Sequence, residues 1–378
     1  MSSVFNQGGI YIILLIYLWI VAILESAYKL SRWKKVLCYV SSIILCLFIG
    51  LRWETGTDWE PYKELFDTIE LSWKVLLDIY HFDFGYVLFN AVVRLFSDSY
   101  TVFLIINSGI TIYFLTKLVL KISPRPNLSL FFFYPTFMVA QFMGSNRRMM
   151  AMVGLLWAFY FLYLNKKKIF YILVSIAFMF HRSSVFGCVA LFIPRKSFKI
   201  KTILLLLLVS FIIGQAELPA KMLAFSGEIL SGFISHPLIE KLVFYSKEGE
   251  DHIAIAASSL FVATLLAILK RSILLLFYVY TIKKYQIDKL TQYIFNMYIC
   301  AFAGYLMLVG SFFQMLTAYF ALIEIILVAR MFNYHRSGVK LLLLMILFIY
   351  GFIQMANALN VYPELYMPYI SIFSNVQR

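Results

Sequence analysis

The sequence predicts an all-α protein that crosses a lipid bilayer many times, and three observations carry that prediction. Of its 378 residues, 62% are hydrophobic and only 14% are charged, with a mean hydropathy of +0.84; soluble domains are about half apolar and about a quarter charged. Apolar runs long enough for helical crossings recur along the whole chain. The basic residues gather in short clusters between those runs, the footprint of cytoplasmic loops. Such a chain cannot cover its apolar surface with its own polar groups. A backbone in lipid must satisfy its N–H and C=O groups internally, so a helical membrane domain is the expected solution. The net charge of +14 belongs to the loop clusters, and no nucleic-acid partner is expected.

Taken in order, the first apolar run, 9–27, lacks a basic flank and a clear small-residue cleavage site. It is expected to stay as a span rather than be removed as a signal peptide. Further spans are predicted at 36–50, 101–120, 127–143, 149–164, 168–181, 184–194, 202–216, 256–282, 291–309, 317–333 and 340–358, about 12 in all within a range of roughly 10–13. The clusters "KLSRWKK", "KISPR", "NKKK", "PRKSFKIK", "KKYQIDK" and "RMFNYHRSGVK" then face the cytoplasm, and both termini face outward. Residues 84–97, "FGYVLFNAVVRLFS", would put "KISPR" on the wrong side if they crossed. They are expected to form a re-entrant or surface-lying helix with Arg94 in polar surroundings. The run 184–194 is short for a crossing.

This topology leaves most acidic residues outside. Nine lie between Glu54 and Asp98 and six between Glu217 and Asp251, which marks external segments at about 51–100 and 217–255. No internal repeat, soluble domain or phosphate-loop pattern appears, so residues 1–378 are expected to form one membrane domain. Cys38, Cys46, Cys188 and Cys300 sit in apolar runs without ligand spacing, as small hydrophobes do.

Ionisable groups at membrane depth are costly and tend to line sites. Three sets fall at predicted outer span ends: Arg52, Glu54, Thr57 and Asp58 with Trp53, Trp59 and Tyr62 between them; Arg147 and Arg148 in "GSNRRMM"; His181 and Arg182 in "FHRSS". Asp83 in "HFDFGY" joins them. Structural readings stand beside functional ones. Arg52 can snorkel to the interface, and Trp53 and Trp59 can be interfacial aromatics. Asp58 can cap a helix starting near Pro61, and His181 can be structural. Arg147 and Arg148 run against the positive-inside tendency, which strengthens the case for a site. Paired arginines bind phosphate or diphosphate through charge-assisted bidentate bonds, aromatic rings stack on sugar faces, and a carboxylate or neutral histidine accepts a proton from an attacking hydroxyl. Together these groups suit a lipid-linked diphosphate sugar, whose departing charge arginines can stabilise. No metal and no cofactor are called for. Two other classes remain open: a flippase or exporter that moves lipid-linked sugars without chemistry, and a membrane acyltransferase using His181.

The ordered set resembles the EpsG-like and Wzy-type polysaccharide (O-antigen) polymerases of bacterial envelopes. "RWETGTDWEPY" at 52–62 is similar to their Arg…Gly-Thr-Asp-Tyr…Tyr element, with Trp59 where Tyr is usual. "DFGY" at 83–86 has Asp for Glu, "NRRMMA" at 146–151 has Arg148 for Gln, and "FHRSS" at 180–184 matches a Phe-His-x-Ser element. A late basic residue before Tyr-Phe is expected, but "QMLTAYF" offers Gln314. The resemblance covers residues 50–185 by motif and the rest by hydropathy alone. It implies polymerisation of undecaprenyl-diphosphate-linked oligosaccharide units at the outer, periplasmic face of the cytoplasmic (inner) membrane. It also implies a fold akin to the glycosyltransferase-C class, and leaves room for a flippase and a chain-length regulator as partners. On this reading Arg52, Arg147, Arg148 and Arg182 hold diphosphate, and Asp58 or else His181 is general base. Glu54 and Asp83 orient sugar or arginine, and Trp59 and Tyr62 contact sugar.

Overall fold

A computed structural model describes residues 4, 7–27, 33–69, 82–231 and 260–374. The predicted external loop 217–255 lies largely outside the described residues, as do residues 70–81 of the first external segment. The chain folds as helices, in two compact units: residues 1–188 with 325–378, and residues 189–324.

The first unit contains α1 (Gly9–Ala27), α2 (Lys34–Gly50), α3 (Trp59–Thr68), α4 (Phe84–Arg94), α5 (Tyr100–Ile122), α6 (Pro126–Phe133), a π-helical segment Tyr134–Phe142, α7 (Asn146–Tyr163) and α8 (Lys167–Phe180). A 3₁₀ segment, Arg182–Phe192, follows α8. Every residue of α6 is buried, and α1 and α2 both pack on it. Its N-terminus carries Pro126 at the first helical position and is met by the buried carboxylate of Glu25, which accepts from the backbone N–H of Asn127 and Leu128 and from the Asn127 amide. A carboxylate is the favoured partner for those otherwise unsatisfied donors. α7 packs against α5 and, extensively, against α8.

The second unit holds α9 (Ile200–Gln215), α10 (Leu218–Ser231), α11 (Leu260–Lys284), α12 (Lys289–Met307), a 3₁₀ segment Phe312–Thr317 and α13 (Ala318–Ala321). α9 packs on α12, where Gly214 lies against the Leu306 carbonyl. α14 (Glu324–Asn333) begins at the boundary and leads back into the first unit, which ends with α15 (Ser337–Val361) and α16 (Pro363–Tyr366).

Among the described residues, five helical segments suffice for a crossing by length and composition: Gly9–Ser26, Tyr100–Ile122, Leu260–Lys284, Phe313–Asn333 and Ser337–Val361. A sixth is added if Ile200–Gln215 and Leu218–Ser226, bent by 54°, count as one span. The protein is therefore an all-α, multi-pass membrane protein. The other predicted crossings coincide with helices that fall short of that criterion, or with a broken segment, as where 127–143 divides into α6 and a π turn. Residues 84–97 hold an 11-residue helix, too short to cross at about 1.5 Å per residue. Its Arg94 donates to the carbonyls of Phe66 and Ile69 at 2.8 and 3.1 Å, closing the end of α3. The segment 184–194 is a 3₁₀ turn.

Candidate functional site

The three sets of polar residues are brought together in the first unit. The loop after α2 is held by the C-terminal segment: Trp53 N–H donates to Ile370, Gly56 N–H to Leu365, and Ile372 N–H to Leu51, at 2.9–3.0 Å. Gly56 has φ +115°, and a Cβ there would stand 2.3 Å from the Met143 carbonyl oxygen. No other residue type serves at that turn. Glu54 also takes a left-handed φ, +45°, which costs a non-glycine residue about 1 kcal/mol.

Arg52 is 1% exposed. Its Nη2 donates to Asn146 Oδ1 at 2.7 Å, and the Asn146 amide donates to the Tyr100 hydroxyl at 3.2 Å. Arg52 Nε and Nη1 are buried with no hydrogen-bond partner. Leaving such donors unpaired costs about 1–3 kcal/mol each, so the geometry expects an acceptor there.

Arg147, next along α7, has three contacts. Its Nη1 meets Asp83 Oδ2 at 2.8 Å, its Nε donates to the Tyr62 hydroxyl at 3.2 Å, and its guanidinium lies 5.5 Å from the Phe82 ring centre. The Tyr62 hydroxyl also lies 2.7 Å from Ser145 Oγ and donates to Asp58 Oδ2 at 3.3 Å. Asp83 Oδ1 accepts from the Arg182 backbone N–H at 3.2 Å and pairs with Arg182 Nε at 3.1 Å. One carboxylate thus holds two guanidiniums. The Asp83 side chain is 5% exposed, against 26% for Arg147 and 49% for Arg182, so the cations present the accessible surface.

Gly85 permits this meeting. A Cβ there would lie 2.8 Å from Met179 Cβ and 2.9 Å from the Met179 carbonyl oxygen, so only glycine lets the start of α4 touch the end of α8. Asp83 stands at the N-cap of α4 but makes no cap bond; its carboxylate serves the arginines instead. Burial pushes its pKa above the usual carboxylate value, against the opposing pull of Arg147 and Arg182. Burial likewise raises the Tyr62 hydroxyl, again against Arg147, which keeps it a neutral donor.

Arg148 Nη1 donates to Gln141 Oε1 at 3.1 Å, in the last turn of the π segment, a geometry common at functional sites. His181 follows the last residue of α8, within electrostatic reach of Arg147 and Arg148, and its Nδ1 lies 2.6 Å from Ser183 Oγ. Asp58 occupies the N-cap of a helix that starts at Trp59, so Pro61 is its third residue and not its first. The Asp58 carboxylate makes no cap bond, contrary to the capping expectation.

Trp59 and Tyr62 are buried to 6% and 2% exposure, in an aromatic core with Phe66, Tyr86, Tyr100 and Phe103. Neither ring offers a free face. Trp53, packed on Trp59 at 4.9 Å between ring centres and only partly buried, is the ring with surface to offer. Asn146, Ser145, Gln141 and the C-terminal clamp join the site without being marked in the sequence as candidates. Asn146 directly precedes the arginine pair and Gln141 lies seven residues before Arg148, positions that carry no signal of their own; nothing local marks residues 365–372 as partners of the loop at 52.

A family model, the EpsG family, matches residues 35–371. The chain belongs to the EpsG family. No curated protein and no solved structure matches it. The match takes in every residue of the arginine network and both units of this EpsG-family chain, beyond the stretch 50–185 where the motifs lie. Family membership supports a membrane protein of polysaccharide biosynthesis.

Proposed function

We propose that the protein is a lipid-linked oligosaccharide polymerase, a glycosyltransferase acting on undecaprenyl-diphosphate-linked units at the outer face of the bacterial cytoplasmic membrane, with a glycosyltransferase-C-like bundle of about 12 crossings. The observation that carries the proposal is the convergence of Arg147 and Arg182, from different helices, on Asp83. Two cations on one carboxylate leave an excess positive charge at an accessible surface, which suits a diphosphate. Arg52 contributes two unpaired donors nearby in the network, and Arg148 extends it.

In the reaction, the growing chain is the donor. The acceptor unit's hydroxyl oxygen attacks the anomeric carbon of the donor's reducing-end sugar, and a new C–O bond forms. The bond from that carbon to the diphosphate oxygen breaks, and its electron pair leaves with the diphosphate, whose charge the arginines stabilise. The hydroxyl proton passes to Asp58 or to His181. Glu54 and Asp83 orient sugar or arginine; Trp53 meets the sugar face, with Trp59 and Tyr62 behind it. Direct displacement inverts the anomeric configuration.

Purified protein incubated with lipid-linked units should give a ladder of longer products. Removing one oriented charge donor costs roughly 100- to 1000-fold in turnover, so Arg147→Ala and Arg182→Ala should suppress the ladder while the protein remains folded in detergent. Full laddering in both variants would refute the assignment. Asp58→Asn and His181→Gln separate the two candidate bases, since only loss of the true base abolishes turnover at saturating substrate.

A second reading has one observation in its favour. α11 carries Lys270 and Arg271 in mid-helix, and Glu324 and Tyr278 pair at 3.0 Å in the same unit; charges at membrane depth also suit a translocation path. Movement of labelled lipid-linked sugar across proteoliposomes with no chain extension would favour it.

A further inference from the structure

We infer that the cleft between α4, α5, α7 and α8 is the binding site for the polyprenyl chain of the lipid diphosphate. The inference rests on the proposed reading of the arginine network as a diphosphate site and adds where the hydrocarbon lies.

The cleft holds about 580 Å³ and is apolar almost throughout. Its long wall is a single stripe of α7. Met150, Gly154, Trp157 and Phe161 line it, at alternating steps of three and four residues, and the same stripe begins at Arg147. Side chains at that spacing share one helix face. From Met150 to Phe161 the stripe runs about 16 Å along the helix. The facing wall comes from α8, where Ala177 and Phe180 line the cleft and His181 is the next residue. α4 contributes Phe89, whose ring meets Phe180 edge-on at 6.3 Å, and α4 is the helix that starts at Asp83's carbonyl. Three walls of the cleft therefore lead up to Arg147, to His181 and Arg182, and to Asp83.

The polar groups of the cleft are accounted for. The Trp157 indole N–H donates to the Phe114 carbonyl at 3.0 Å, and the Thr111 hydroxyl donates to Asn107 at 2.8 Å. Gly154 opposes Ala177, with room for no more than a methyl between them, since a Cβ on Gly154 would sit 3.5 Å from Ala177 Cβ. This small pair sets the depth of the cleft. Phe114 and Ile176 on its rim are 49% and 45% exposed, so a flexible chain enters from the side that faces lipid. An amphiphile with an anionic head and a long unsaturated tail matches a cationic cluster continuous with an apolar slot. A phospholipid, the competing occupant, shares the tail chemistry but not the diphosphate.

The test uses a polyprenyl diphosphate bearing a photoactivatable group in its chain, with the full-length protein in detergent, and maps the labelled residues. Labelling of α7 and α8 within the cleft, displaced by unlabelled polyprenyl diphosphate and not by phosphatidylglycerol, is the expected result. Gly154→Phe, which fills the floor, should cut that labelling by about tenfold, equivalent to one decade in affinity. Since a large residue can disturb packing, the variant is judged by a ratio. Wild type should prefer a polyprenyl-linked over a geranyl-linked unit in kcat/KM, and the filled variant should lose that preference. Labelling outside the cleft, equal displacement by phospholipid, or an unchanged chain-length preference would each overturn the inference. A wild type that binds the probe in the cleft but builds no ladder would refute the polymerase reading and leave the cleft standing; a normal ladder with no cleft labelling would do the reverse.

Discussion

At the scale of the residue, the site turns on Asp83. It is the joint at which Arg147 and Arg182 meet, and burial raises its pKa. The pairs need an ionised carboxylate. As pH falls through a pKa raised by burial from the ordinary aspartate value, Asp83 gains a proton and both guanidiniums lose their anchor. Activity should therefore show an acid limb shifted upward from an ordinary aspartate's, measured as kcat/KM against pH, and Asp83→Asn should be nearly inactive and lack that limb. Asp83→Ala should also destabilise the fold by about 1 kcal/mol, since the arginines it leaves behind are partly solvated, read by thermal unfolding. Arg147→Lys keeps the charge but not the fork that reaches Asp83 and Tyr62 together, so it should retain only a small part of the activity. These residues were legible in the sequence because charge is conspicuous against hydrocarbon. Asn146 was not, since an amide beside two arginines reads as punctuation until its Oδ1 is seen to hold Arg52.

At the scale of the element, small residues and chain ends decide which groups meet. Gly85 lets α4 touch α8, and Gly56 lets the loop after α2 pass the Met143 carbonyl. Gly85→Ala should pull Asp83 away from Arg182 and lower activity at least tenfold with a modest loss of stability; Gly85→Ala with normal turnover would show that the contact between α4 and α8 is dispensable. Arg94 ties α4 to the last carbonyls of α3, and Arg94→Met should cost about 2 kcal/mol, the worth of hydrogen bonds from a charged donor, checked by a thermal melt. Hydropathy located the helices to within a few residues but not where one breaks. The run 127–143 reads as one span, yet Pro135 lies within it and the chain passes from α6 into a π turn. The clamp by residues 365–372 was illegible for a plainer reason: its hydrogen bonds are backbone to backbone, and backbone pairing leaves no mark on residue type.

At the scale of the whole molecule, the chain is a membrane protein, and among the described residues one long apolar helix carries cations at its middle. Lys270 and Arg271 lie midway along α11, and the Arg271 guanidinium stacks on the Tyr305 ring at 3.6 Å. The sequence carries that signal as two adjacent cations inside a predicted span, 256–282. The positive-inside pattern predicts an orientation that labelling can test. Asp98→Cys should react with an impermeant maleimide in intact cells, and Lys167→Cys only after permeabilisation; the opposite result would invert the topology. The central claim is that guanidiniums distant in the chain gather to hold an anionic lipid headgroup. An electron cryo-microscopy map of the protein with a bound lipid-linked diphosphate tests it most directly. The account predicts diphosphate oxygens within about 3 Å of the Arg147 and Arg182 guanidiniums, with the lipid chain descending along α7. A headgroup resolved elsewhere, with both arginines still engaged only by Asp83, would contradict it.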